Sequence, residues 1–208
     1  MRDYTKLIEI GKNNNGIIRT KWAVDNGVAK DYLRFAVEDG VIERVRHGFY
    51  ILKDTIADEV YILQQRAKNL IYSFDTAAYY NGLTNRDPLR LTLTTTRETK
   101  TSFLYAKGFE LNFHYVDNEK FKLGRAKTKT IFGNQIVIYN MERTLCDLFS
   151  PIYNGDIDIA LESLKNYVKR KDKNFYKLMK YAQDLGVEQE LKKRLEVLIW
   201  ETQDSCVI

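Results

Sequence analysis

Residues 16–52 read GIIRTKWAVDNGVAKDYLRFAVEDGVIERVRHGFYIL. Thr20 has the side chain of a helix N-cap, and Trp22, Ala23 and Val24 follow it as a short apolar helix. Asn26 and Gly27 stop that helix, since Gly takes the positive φ of a sharp stop without a steric penalty. A second helix is expected over 29–39, where Leu33, Ala36 and Val37 fall three and four apart on one face, and Gly40 ends it. Residues 41–46 then alternate as a strand does. His47-Gly48 makes a tight turn, and residues 49–52 return as a second strand.

Helix, turn, helix and two-stranded ribbon, in that order, outline a winged helix-turn-helix. In that fold the second helix enters the DNA major groove and the ribbon lies along the backbone or minor groove. The side chains left for solvent on the second helix are Lys30, Asp31, Arg34, Phe35 and Glu38. Lys30 and Arg34 stand one turn apart near the helix start, where Arg can pair with guanine and Lys can neutralise phosphate. The ribbon carries Arg44, Arg46 and His47 beside its turn. Asp31 and Glu38 oppose an anionic partner, and the same outline also serves as a protein–protein module.

The chain has 208 residues, 44% of them hydrophobic, enough for one large domain or two ordinary ones with real cores. Lys and Arg number 33 against 28 Asp and Glu, a formal net charge of +5 that suits a phosphate-bearing or acidic partner without requiring one. Residues 1–53 hold ten basic and seven acidic side chains, residues 54–150 thirteen and eleven, and the remainder ten of each, so the basic excess lies in the first two thirds. Cys146 and Cys206 form no CxxC and have no neighbouring His, which points to a reduced, cytoplasmic setting rather than a disulfide framework or zinc site. No apolar run resembles a signal peptide or a membrane span.

The expected fold class is α+β: a winged helix-turn-helix over 1–53, with a first helix over 4–15, then a mixed α/β domain over 54–208 that is helical from 151 to 201. In the middle region, helices are expected over 56–69 and, capped by Ser73, over 74–81; a brief strand is expected over 70–72. Residues 89–94 alternate as a half-buried strand, and further strands are expected over 102–105, 110–115 and 134–139. Over 120–129 the basic residues alternate with apolar or small ones, which in a strand sets Lys122, Arg125, Lys127 and Lys129 on one side. Arg97, Lys100 and Lys107 extend this strip if their strands are its neighbours. Residues 141–149 open a helix whose Glu142 and Arg143 suit capping or ion pairing better than catalysis. Three amphipathic helices follow, over 156–169, 174–185 and 188–200.

The chain resembles, over nearly its full length, the antitoxin of the AbiE abortive-infection system (the AbiEi family), a bacterial type IV toxin-antitoxin pair. The resemblance is carried by Arg46-His47-Gly48-Phe49-Tyr50, by Ser73-Phe74-Asp75-Thr76-Ala77-Ala78, by the strand over 89–95, and above all by Ile138-Tyr139-Asn140-Met141-Glu142-Arg143-Thr144-Leu145-Cys146-Asp147-Leu148. It implies two roles. The winged domain is expected to bind inverted repeats in its own operon's promoter as two copies and repress it, with Lys21, Lys30, Arg34, Arg44, Arg46 and His47 taking the DNA role by position. The second domain is expected to counter a nucleotidyltransferase-like toxin without a stable complex, as a monomer or weak dimer off DNA. No catalytic residue, cofactor or metal comes with the resemblance. The basic strip and its extensions at Arg97 and Lys100 are the candidate antitoxin surface.

Two other readings stand beside this one. A plain winged-helix regulator with a sensing or assembly domain needs no toxin. A magnesium-dependent nuclease needs Asp87 and the E-x-K of Glu98 and Lys100 to meet around one metal ion. No P-loop, GxGxxG or HExxH pattern is present.

Overall fold

The computed structural model describes residues 2–67, 69–104 and 110–204, and the chain divides into two compact units. The first comprises residues 1–65 and 129–135, and the second residues 66–128 and 136–208.

The first unit is a winged helix-turn-helix. Its elements are α1 (Thr5–Lys12), β1 (Ile17–Arg19), α2 (Thr20–Asp25), α3 (Lys30–Glu38), β2 (Ile42–Arg46), β3 (Phe49–Leu52) and α4 (Glu59–Arg66, which the division cuts at its last residue). The strands form an antiparallel sheet in the order β1-β3-β2, with Ile17 opposite Ile51, Ile18 opposite Tyr50 and Arg44 opposite Tyr50. Pairing slips between Arg44 and Arg46, so Val45 forms a bulge that twists the ribbon near its turn. Both faces of this sheet are covered. Ile18 joins Leu7, Ile10, Ala23, Leu33, Ala36 and Ile42 in a core with the three helices before the ribbon. Ile17, Phe49 and Ile51 face the other way and pack with Ile62 of α4. Two consecutive isoleucines, both with no accessible surface, are the sequence mark of a strand buried on each side.

The second unit is a mixed sheet with helices. Its strands are β4 (Ile71–Tyr72), β5 (Leu91–Thr96), β6 (Leu111–Val116), β7 (Arg125–Lys129) and β8 (Gln135–Tyr139), in the order β6-β5-β4-β8-β7. β4 runs antiparallel to β5 and parallel to β8, and β5 runs parallel to β6. The helices are α5 (Phe74–Tyr80), α6 (Asn118–Lys122), α7 (Met141–Leu148), α8 (Ile157–Lys169), α9 (Phe175–Leu185) and α10 (Glu188–Asp204). Leu145 and Leu148 of α7 meet Ala78 of α5, Leu164 of α8, Leu178 of α9 and Leu191 of α10 in one apolar core.

Several local expectations change. β1 was not foreseen, because three residues are too few to show a period. Thr20 is the first helical residue of α2, and the residue before it, Arg19, makes no side-chain cap. Val37 turns outward and Phe35 is half-buried, the reverse of what spacing alone indicates. The strand expected over 89–94 is β5, two residues later, and it is buried on both faces: Thr92 N–H bonds Thr76 Oγ1, and Thr94 and Ser73 bond through their hydroxyls. Threonine is β-branched and can satisfy its hydroxyl locally, so a polar half of an alternation need not face water. Ser102–Leu104 is a 3₁₀ turn rather than a strand, and Tyr105 lies outside the described residues. The run over 120–129 is α6, a turn at Gly124 and then β7. Gly124 has φ of +79°, and a Cβ there would meet Arg143 Cβ.

The first compact unit extends past the expected end at 53, to 65, and takes in residues 129–135, with α4 covering the sheet's second face. Asp58 begins α4 as its cap, accepting Tyr61 N–H at 3.1 Å, and its Oδ2 accepts from Thr130 and Asn134 in the 129–135 segment. Ile62→Ala is therefore expected to destabilise the first unit by about 2–5 kcal/mol. Val24→Ala, at a 43% exposed position, should change it by under about 0.5 kcal/mol. Urea denaturation followed by Trp22 fluorescence distinguishes the two.

Candidate nucleic-acid interface

α3 presents two faces. Leu33 and Ala36 lie in the core, while Lys30, Asp31, Arg34, Val37 and Glu38 are exposed. Lys30 is the first helical residue, and Arg34 follows one turn later. Arg34 Nε lies 3.7 Å from Glu38 Oε1, with both side chains more than half exposed. A pair of that length in water holds an arginine weakly, so it can exchange for a stronger acceptor. The Arg34 guanidinium also sits 4.9 Å from the Phe35 ring centre, and the Arg2 guanidinium lies 4.1 Å from the same ring centre. Phe35, half-buried against the core, thus supports both arginines.

The wing turn is tied to the start of α2, where Thr20 N–H donates to Gly48 O at 3.0 Å. Lys21 is exposed in the first turn of α2. Arg44 and His47 are exposed beside the turn, with Arg44 Nη2 3.4 Å from His47 Nδ1. Arg46 differs from these. Its side chain is 20% exposed and reaches Glu59 of α4 at 3.3 Å, so the expected DNA contact is also engaged in an ion pair within the first unit. Sequence reading missed this because Glu59 is thirteen residues away on an element assigned to the other domain. It also missed Arg19, whose guanidinium lies about 5 Å from Trp22 and Phe49 and bonds Gln65 at 3.0 Å.

Arg125, Lys127 and Lys129 occupy alternate exposed positions of β7, an edge strand of the five-stranded sheet whose last residue, Lys129, the division assigns to the first unit. Lys122 leaves the strip, since it ends α6. Arg97 and Lys100 do not extend it. They follow β5, and β4 and β8 stand between β5 and β7, a separation of about 14 Å at the usual strand spacing. Arg97 lies 3.8 Å from Asp117. Lys107 lies outside the described residues, as does Cys206.

The nuclease residues do not converge. Asp87 precedes β5 and Glu98 follows it, so a six-residue strand of about 20 Å lies between their positions. Among the described residues no group of three His, Cys, Asp or Glu side chains could hold a metal ion. Glu142 and Arg143 are both buried and paired: Glu142 with Lys177 at 3.0 Å, Arg143 with Asp147 at 2.8 Å. Cys146 is buried, and burial pushes its thiol up, away from the thiolate a nucleophile requires. No described helix is long and apolar enough to cross a membrane.

No family model matches the chain, and no curated protein does. Among solved structures it is similar to the RV2827C protein from Mycobacterium tuberculosis, with a TM-score of 0.55 and 10% identity over 93% of this chain and 78% of that one. At that identity the likeness is one of fold.

The different settings of the wing arginines separate by stability. Arg46→Ala is expected to destabilise the first unit by about 1 kcal/mol, because it removes one ion-pair partner of the partly buried Glu59 carboxylate. Arg44→Ala should leave the melting temperature unchanged. Thermal melts followed by circular dichroism read both.

Proposed function

We propose that the chain is a DNA-binding antitoxin: it represses its own operon through the winged helix-turn-helix and counters a nucleotidyltransferase-like toxin through the second unit. The observation that carries the DNA half is the division of α3. Leu33 and Ala36 anchor the helix, and Lys30 and Arg34 project from its first turn and the next. Helix starts of this kind meet base edges, with phosphates flanking them. Lys21, Arg44 and His47 supply further donors on α2 and at the wing. Asp31 and Glu38 on the same helix limit affinity for arbitrary DNA, which favours a specific site over general phosphate binding. Inverted repeats would place two copies on one duplex, and the partner toxin acts without a lasting complex. The protein works in the cytoplasm, and its role needs no catalytic residue.

The antitoxin half is supported by the order and spacing of the motifs that resemble the AbiE antitoxins, chiefly residues 138–148. Arg125, Lys127 and Lys129 on an edge strand are its candidate surface.

Gel shifts with the DNA upstream of its own coding sequence test the first half. Arg34→Ala should weaken specific binding by roughly 1–3 kcal/mol and relax the preference at one base position. Lys30→Ala should weaken all sequences alike and reduce the salt slope by about one. Wild-type shifts from both variants would refute the placement of the interface. For the second half, co-expression with the neighbouring toxin gene under an unrelated promoter should restore growth; a pure regulator would not.

A further inference from the structure

The last third of the chain is neutral in sum but not in distribution. Residues 165–180 hold seven Lys and Arg against one acidic residue, Asp172, while the rest of 151–208 holds three against nine. The basic run surrounds the turn between α8 and α9, and cations gathered there repel one another until an anionic partner offsets them. The turn is firmly built. Tyr167 Oη accepts Asn174 N–H at 2.7 Å and donates to Glu142 at 3.2 Å, and its ring meets that of Phe175 edge-on, with centres 6.0 Å apart. Asn174 caps α9 by accepting Lys177 N–H at 2.9 Å, and Lys173 Nζ donates to Arg170 O at 2.9 Å. Asp172 is held by Arg170 through two bonds of 2.7 and 2.8 Å, so it does not answer the other cations. Lys169, Lys171 and Lys180 are exposed and pair with no carboxylate among the described residues. Beside them Tyr176 is 83% exposed in the first turn of α9, with Lys180 one turn further along the same side. Leu178 and Ala182 already bury the core face of α9, so the fold itself requires no ring at 176.

We propose that the α8–α9 end of the second unit binds single-stranded nucleic acid, with a base stacked on Tyr176 and the flanking phosphates held by Lys169, Lys171 and Lys180. A nucleotide joins a flat ring to an anion, so one strand answers the exposed aromatic and the unpaired cations together. An acidic peptide answers the cations alone. Duplex DNA answers them too, but its bases are stacked on one another and leave the tyrosine ring without a partner. The cations stand on both sides of the turn, at the end of α8 and along α9, so a strand crossing it meets ring and charge within a few nucleotides. No hydrogen-bond donor or acceptor converges on the ring to select one base, so the expected preference is for strandedness and not for sequence. This surface belongs to the second unit and is separate from α3 and the wing.

Fluorescence anisotropy of the full chain with a labelled oligouridine about twelve nucleotides long tests this without reference to promoter or toxin. Tyr176→Ala should weaken binding by about tenfold with the salt dependence unchanged, and Tyr176→Phe should retain wild-type affinity, because a base stacks on the ring and not on the hydroxyl. Lys171→Ala combined with Lys180→Ala should reduce the slope of log K against log salt by about 1.4, since each phosphate neutralised on a single strand contributes about 0.7. All three positions are exposed, so the melting temperature should not move. Lys30→Ala combined with Arg34→Ala, in the first unit, should leave the oligouridine affinity unchanged, which separates a failure of this site from a failure of the DNA reading. Absence of binding at about 100 mM salt would overturn the proposal. So would wild-type affinity in Tyr176→Ala, or equal displacement by an oligoglutamate of the same length, either of which would mark a general anion surface with no base site. Loss of binding in the Lys30 and Arg34 variant alone would place the strand on the first unit and overturn it as well.

Discussion

Everything in the first unit follows from burying a three-stranded sheet on both faces. Ile17 and Ile18 are adjacent and point opposite ways, and each is fully sequestered. One face needs α1, α2 and α3; the other needs α4. Burial of each isoleucine contributes about 1.5–3 kcal/mol, which is why a strand of only three residues holds its place. The same constraint sets the outward face of α3. With Leu33 and Ala36 committed to the core, Lys30 and Arg34 have nowhere to go but solvent. Asp58 secures the second cover by capping α4 while accepting from Thr130 and Asn134, two residues more than seventy positions downstream.

In the second unit the organising element is α7, which enters the apolar core through Leu145 and Leu148 and adds buried polar interactions to it. Arg143 is 2% exposed, pairs with Asp147, donates to the carbonyls of Lys120 and Leu123, and lies 4.3 Å from the Tyr139 ring centre. Buried ion pairs of this kind add little net stability over an apolar substitute, but removing one partner leaves an uncompensated charge. Their value here is positional. Arg143 fixes the turn at Gly124, and hence where α6 ends and β7 begins. Glu142 does the same on the far side of the helix, joining Tyr167 of α8 and Lys177 of α9.

Legibility in the sequence followed the length of the signal. The winged order was readable because Gly27, Gly40 and Gly48 punctuate it and the apolar positions between them keep a period. The three terminal helices were readable for the same reason. What escaped was short or long-range. β1 has too few residues to show alternation, α6 hid inside a run of alternating lysines, and the pairing of Arg46 with Glu59 joins residues from elements assigned to different domains. The setting of Asp147 escaped entirely, because a buried carboxylate oxygen without a hydrogen-bond partner among the described residues becomes visible only when every neighbour has been placed.

The central claim is that α3 and the wing form the face that meets DNA. Amide chemical-shift mapping of the labelled full chain, titrated with a duplex spanning its own promoter, tests this most directly. Shifts concentrated in residues 30–38 and 44–48 are the predicted result. Shifts confined to β7, or none at saturating duplex, would contradict it.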